Sequence, residues 1–341
     1  MVVNLGEAID ILGTAQTVWG LQTSFRAGVL FSSAILWKMR ISSGLLFTRR
    51  VFFLFVVLAT PVVLAVAQAA PVMLTPAVLT PAVVEAGSPE LIRVEAPATA
   101  TLAGDWLGHK LEFFRGRGGH AWFALAGVDV EQAAGPSTLR ITAHLASGVS
   151  RNLSRTVDIR PSHYRTEALR VPPRFVEPGP DAMKDIEAEV RLKKVVFAQS
   201  APQPLWTGSF RAPVTAPPTD SFGVRRMFNG ELASVHKGMD FRAPMGTPVR
   251  ASADGVVILA QKLYYEGNCV VIDHGMGLST ISMHLSRIDV RVGQPVHTGQ
   301  RLGLSGATGR VTGPHLHWAV RWEGAYLDPS KLLRMNLGPV R

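Results

Sequence analysis

Gly255-Val-Val-Ile-Leu-Ala260, Asn268-Cys-Val-Val-Ile-Asp273 and Leu278-Ser-Thr-Ile-Ser-Met283 follow one another closely in a chain of 341 residues. Each run is short and rich in β-branched side chains, lies between turn residues, and lacks the three-to-four-residue apolar spacing of a helix. The three therefore read as consecutive strands. Val249–Ala251, Arg287–Val290, Arg301–Ser305 and His315–Arg321 are runs of the same kind. Together they predict a compact, mostly antiparallel β domain over residues 205–335.

Upstream, Ile92–Val94, Leu111–Phe114, Ala121–Leu125, Thr138–Leu145 and Val157–Ile159 are separated by breakers such as Gly116-Arg-Gly-Gly119 and Gly135-Pro136. Strands at this spacing predict a small Ig-like β-sandwich over residues 91–160. His109, His120, His144 and His163 lack mutual ligand spacing there and read as surface or strand residues. Residues 161–204 form a linker punctuated by Pro172-Pro173 and Pro178-Gly-Pro180, with Asp181 capping a helix over about 181–197. A Pro-rich crossing, Ala212-Pro-Val-Thr-Ala-Pro-Pro218, leads into the C-terminal domain. The fold class is mostly β.

Leu74-Thr-Pro-Ala-Val78 is repeated at once as Leu79-Thr-Pro-Ala-Val83, so residues 71–90 read as an extended tether or a first edge strand. Before it, Arg49-Arg50, the apolar run Val51–Val66 and the ending Ala67-Gln-Ala-Ala70 make residues 49–70 a secretory signal segment or a retained membrane anchor. Either reading puts the chain beyond residue 70 outside the cytoplasm, with residues 51–70 as the membrane tether if retained. Residues 1–48 form an unusual extension ahead of such a segment. Translation starting at Met39 would leave residues 1–38 out of the protein.

The formal net charge is +10. Residues 1–70 carry five basic side chains against two acidic ones, so +7 remains beyond them. That balance suits polyanionic surroundings such as anionic lipid or an acidic wall. The basic residues are scattered and no nucleic-acid-binding signature accompanies them, so nucleic acid is not an expected partner. Cys269 is the single cysteine, which excludes an internal disulfide and a cysteine-based zinc site. In an apolar strand it reads as a small buried hydrophobe.

Two motifs in the C-terminal domain carry chemistry, His236-Lys-Gly-Met-Asp240 and His315-Leu-His317, with His284 isolated between them. Gly238 and the following Phe241-Arg-Ala-Pro244 argue against a helix, which places His236 and Asp240 in a turn entering a strand, with Gly238 bending the backbone. His315 and His317, two apart on a strand, project to one face. Catalytic zinc takes three His or carboxylate ligands and keeps a fourth position open. His236, Asp240 and one of the paired histidines would fill three positions. His284 and the other member of the pair would serve proton transfer.

Ser221-Phe-Gly-Val-Arg225, His236-Lys-Gly-Met-Asp240, Gly246-Thr-Pro-Val249, Val271-Ile-Asp-His-Gly275, His284-Leu-Ser286, Gly306-Ala-Thr-Gly309 and Gly313-Pro-His-Leu-His-Trp318 occur in this order. From about residue 205 to 333 the chain resembles the lysostaphin/LytM-type zinc metallopeptidases, which cut glycyl or D-alanyl bonds in peptidoglycan. The resemblance implies the duplicated hybrid motif fold and one Zn2+ held by His236, Asp240 and His317. It further implies His284 and His315 as acid/base and transition-state stabilisers, and peptidoglycan as substrate. Wall-hydrolase regulators are implied partners.

Many such enzymes have an aromatic residue where this chain has Ser282. Non-catalytic relatives have lost one or more ligands, whereas every expected position is retained here, so hydrolysis is expected. The alternative is a non-hydrolytic envelope protein that binds wall or activates an amidase; a cytoplasmic sugar-phosphotransferase carrier with a related barrel conflicts with the export segment. Among neighbouring residues, Asp273-His274 reads as structural and His297 as solvent-facing. Arg225 and Asn229 either line the groove or pack locally, and Gly306–Gly309 forms a loop bordering the cleft.

Overall fold

The computed structural model describes residues 74–116, 118–169, 178–228 and 231–337. The expectations for residues 1–70 and for Asn229 lie outside them. Among the described residues, no helix is long and apolar enough to cross a membrane.

Alternating burial builds the N-terminal module. Its strands are β1 (Val78–Thr80), β2 (Pro89–Glu95), β3 (Thr101–Trp106), β4 (His109–Arg115), β5 (Ala121–Gly127), β6 (Gly135–His144) and β7 (Ser150–Ile159). In β6, Leu139, Ile141 and Ala143 are buried while their neighbours face outward, the period-two pattern of a half-buried strand. All seven strands join one continuous antiparallel sheet in the order β1-β2-β5-β4-β3-β6-β7. A small sandwich was expected over residues 91–160, and the strands found there, with β1 before them, hydrogen-bond in this single order. β3 closes the gap between the halves by pairing with both β4 and β6. Its two buried anchors, Leu102 and Trp106, are separated by Ala, Gly and Asp, so it makes no apolar run. The Pro-spaced repeat supplies β1, an edge strand against β2.

β8 (Thr166–Leu169) comes next, and then α1 (Pro180–Phe197). Gly179, not Asp181, is the N-cap, and it makes no side-chain cap bond. Pro180 occupies the first turn, where its missing N–H costs nothing, and Asp181 adds its charge at the positive helix end.

The C-terminal domain comprises β9 (Pro218–Asp220), β10 (Arg225–Phe228), β11 (Glu231–Val235), β12 (Met239–Phe241), β13 (Pro248–Arg250), β14 (Gly255–Leu263), β15 (Gly267–Asp273) and β16 (Leu278–Leu285). It continues through β17 (Arg287–Ile288), β18 (Pro295–Val296), β19 (Arg301–Leu304), β20 (Leu316–Trp322), β21 (Ala325–Leu327) and the short α2 (Pro329–Arg334). The main sheet runs β18-β14-β15-β16-β20-β12-β9, with β21 also on β20. β13-β19-β17 form a second sheet; β11 and β10 form a third with β8, which joins β10 in parallel.

One face of the main sheet buries Ile272, Leu278, Leu316, Trp318 and Trp322 in a core that extends into the N-terminal module. There Phe114 meets Trp206 edge to face at 6.2 Å. A Cβ on Gly127 would come within 2.6 Å of Leu327, so that close approach requires glycine. The other face carries Cys269, Val271, Ile281 and Ala319, and α1 lays Leu192, Val196 and Phe197 across it. Met283 pairs with His317 and Ile281 with Ala319. The face that α1 covers is therefore the one from which His317 projects.

His274 is fully buried, with Nδ1 bonded to the Asp254 carbonyl and Nε2 to Thr280 Oγ1, each at 2.8 Å. Burial pushes its pKa down to about 4, against the pull of that carbonyl and of the Asp273 and Asp254 charges. A depressed histidine pKa favours the fold above the unfolded value near 6.5. That contribution is lost as pH falls from there toward about 4. Thermal unfolding followed between pH 7 and pH 4 should therefore fall more steeply for the native chain than for His274→Asn.

Candidate active site

The site forms where β12 and the start of β20 pair, Asp240 opposite His317 and Phe241 opposite Leu316. His236 leaves the end of β11, held by backbone bonds to Gly223 and Val224. Its Nδ1 lies 2.8 Å from the Ser221 carbonyl, which turns Nε2 toward Asp240 Oδ1 at 3.2 Å. His317 Nδ1 is 2.9 Å from the same oxygen and 3.1 Å from His236 Nε2. The Asp240 and His317 side chains are each 13% exposed and that of His236 4%.

Burial alone would raise the Asp240 pKa, but the close approach of the His236 and His317 rings holds it well below the usual carboxylate range. Burial pushes His317 down, opposed by the Asp240 hydrogen bond. Asp240 is therefore an ionised carboxylate facing the two rings.

These three donors form a group able to hold a metal ion. With the Ser221 carbonyl taking the Nδ1 proton of His236, its Nε2 offers a lone pair to the point where the Asp240 oxygen also aims. Electron-rich atoms this close repel unless a cation sits among them. Their spacings fall within about half an ångström of the ~3.3–3.6 Å edges of a tetrahedron with zinc bond lengths of ~2.0–2.2 Å. The donor set, two imidazoles and a carboxylate, suits zinc.

The other two histidines stand beside this group. His315 Nδ1 bonds the Gly313 carbonyl at 2.8 Å, leaving Nε2 3.9 Å from Asp240 Oδ1. His284 Nδ1 bonds the Thr308 carbonyl at 3.0 Å, and its ring centroid lies 4.9 Å from that of His315 and 6.0 Å from that of His317. Burial, then the charges of His317 and His315, push the His284 pKa down to about 4. Its backbone has φ +62°, uncommon for a non-glycine residue. The Glu266 carbonyl fixes it by accepting from His284 N at 2.8 Å.

The structure thus brings His236, Asp240, His284, His315 and His317 together. Sequence reading gave no orienting role to Ser221, Thr308 and Gly313, whose main-chain carbonyls hold the His236, His284 and His315 rings, or to Glu266, whose carbonyl holds the His284 backbone. Gly238 was expected to bend the chain, yet its φ is not in the left-handed region. Its role is clearance, because a Cβ there would lie 2.3 Å from His317 Nε2. Gly238→Ala should therefore weaken metal binding by about 10- to 100-fold, the range for disturbing a ligand's support, and lower the melting temperature as well, since the same Cβ would lie 2.9 Å from the Trp318 carbonyl. Competition with a zinc chelator measures it.

Cys269 is buried and unbridged, and the His297 side chain is 85% exposed. The Gly306–Gly309 loop borders the cleft through Thr308. Arg225 N is held by the Arg165 carbonyl in the β8–β10 pairing.

An antiparallel β domain that gathers two imidazoles and a carboxylate at one point, with two more imidazoles beside them, has the construction of a metallopeptidase domain. Residues 234–329 match the family model described as Peptidase family M23, and the chain carries a domain of that family.

Among curated relatives, the peptidoglycan DD-endopeptidase ShyA of Vibrio cholerae is 52% identical over 114 residues, 33% of this chain and 26% of that protein. The DD-carboxypeptidase/endopeptidase Mpg of Neisseria meningitidis is 45% identical over 95 residues, 28% of this chain and 22% of that protein. The chain thus spans about a quarter of the length of these relatives. A putative peptidase M23 from Pseudomonas aeruginosa has a crystal structure similar to this one, with TM-score 0.57 and 28% identity. It covers 73% of this chain and 94% of its own, a share larger than residues 234–329 alone can supply.

Proposed function

We propose that the chain is a zinc-dependent endopeptidase that hydrolyses cross-links or stem peptides of bacterial peptidoglycan outside the cytoplasm, exported or anchored through residues 49–70. The observation that carries this reading is the meeting of His236, Asp240 and His317 within hydrogen-bond distance, with two oriented histidines alongside. The activity named for ShyA, a peptidoglycan DD-endopeptidase, supports peptidoglycan as substrate. Regulators of wall hydrolases are proposed partners.

His236, Asp240 and His317 would hold the zinc, which when bound supplies Lewis acidity and lowers the pKa of a water to about 7. His284 and His315, each tethered through Nδ1, present Nε2 toward the same space. A neutral imidazole there can accept the proton of the attacking water as its oxygen bonds to the scissile carbonyl carbon. The resulting imidazolium returns that proton to the amine nitrogen as the C–N bond breaks. The second ring, when it carries a proton at both nitrogens, donates its Nε2–H to the carbonyl oxygen and stabilises the negative charge there.

Mass spectrometry of muropeptides released from purified cross-linked sacculi tests the reading. Cross-linked dimers should decline as monomers bearing new amino and carboxyl ends accumulate. One equivalent of bound zinc without product peptides would instead favour a non-hydrolytic protein that binds wall or activates an amidase.

A further inference from the structure

Two segments wall the mouth of the site next to His284. One is the β14–β15 turn, Tyr264-Tyr265-Glu266, and the other is the loop 306–313. They are locked together: Thr308 Oγ1 accepts from Asn268 N at 2.9 Å, and Arg310 N donates to the Tyr265 carbonyl at 3.0 Å. A Cβ on Gly309 would come within 2.4 Å of Gly267 N. Both segments also grip His284, through the Thr308 and Glu266 carbonyls. Arg310 lies two residues beyond Thr308, at most about 7 Å of chain, on the loop that holds His284.

Arg310 is exposed, and its guanidinium carbon sits 4.2 Å from the centroid of the Tyr265 ring. Among the described residues no carboxylate forms an ion pair with it. Its neighbour on this wall is different: Lys193 of α1 is spent on Glu266 at 2.7 Å. A guanidinium held over an aromatic ring can keep N–H groups for a ligand and loses little freedom when they are used. That is the arrangement suited to two-point recognition of a carboxylate.

The direction of approach strengthens the argument. α1 covers the sheet face below Met283, and the Glu189 carboxylate clamps it by accepting from Tyr264 N at 2.8 Å. The space left between α1 and the sheet, lined by Lys193, Phe197, Met283 and Tyr326 among others, is ≈ 20 Å³, about one water. A peptide cannot lie along that face while α1 is seated, which leaves the other sides of the site, the loop bearing Arg310 among them, for its approach.

We propose that Arg310, held by Tyr265, is a specificity residue that binds a carboxylate of the peptide substrate flanking the scissile bond. The assignment rests on the peptidase reading and names the charge its substrate must carry.

The test compares a purified cross-linked muropeptide dimer carrying its native carboxylates with the same dimer after carboxyl amidation. The full chain should cleave the native dimer with kcat/KM higher by about tenfold or more, the value of one hydrogen-bonded charged contact, and the difference should lie mainly in KM. In Arg310→Gln the ratio should collapse toward one, and Arg310→Lys should restore part of it. Equal cleavage of both dimers by the native chain, or an undiminished ratio in Arg310→Gln, would overturn the assignment.

Calorimetry on the metal-stripped native chain separates this assignment from the reading beneath it. Preferential binding of the native dimer, lost in Arg310→Gln, supports the carboxylate subsite even if the zinc-loaded chain cleaves neither dimer. That last outcome removes the peptidase reading alone.

Discussion

His317→Ala is expected to lose bound zinc and peptidoglycan hydrolysis together. His317 Nδ1 lies 2.9 Å from Asp240 Oδ1 and 3.1 Å from His236 Nε2, so it touches both other donors. Without it, one imidazole and one carboxylate remain, too few for a stable three-ligand site. The loss of affinity should exceed the roughly 10- to 100-fold cost of disturbing a supporting partner. Backbone pairing of β20 with β12 and β16 does not depend on the side chain, so the circular dichroism spectrum should be unchanged. Metal analysis after gel filtration and release of muropeptides read the two losses. A variant that hydrolyses sacculi at the native rate would remove His317 from the site.

His284→Ala should separate the two properties, keeping one zinc while turnover falls by about 10²–10⁴, the usual worth of a positioned acid or base. The loss should appear in kcat more than in KM, because the ring contacts the donor cluster without belonging to it. The substitution also removes the bond to the Thr308 carbonyl and leaves alanine at φ +62°, which costs about 1–2 kcal/mol of stability. His284→Asn controls for this, since asparagine tolerates the left-handed region. It should recover stability without recovering turnover. Native turnover in both variants would deny His284 a part in the chemistry.

The histidine motifs were legible because they are local. His315-Leu-His317 needs only strand alternation to put two rings on one face, and Gly238 marks the approach of His236 to Asp240 even though the reason is clearance for His317. The strand runs of the C-terminal sheet were legible for the same reason. β3 was not, because Gly104 and Asp105 interrupt its apolar pattern and its stability comes from neighbours on both sides. Nor were β8 and β10, whose parallel pairing joins residues 166–169 to 225–228 across the whole of α1.

Residue types and short-range periodicity thus determined the mostly β character of this protein, the position of α1 and the five side chains able to do chemistry. Tertiary structure alone decided that the N-terminal strands form one sheet sharing a core with the M23 domain. It also decided that α1 lies on the face bearing His317, and that main-chain carbonyls of Ser221, Thr308 and Gly313 aim the rings. The physical reason is that strand alternation acts over a few residues and is written in side chains. Long-range pairing and the aim of an imidazole depend on backbone groups that every residue carries.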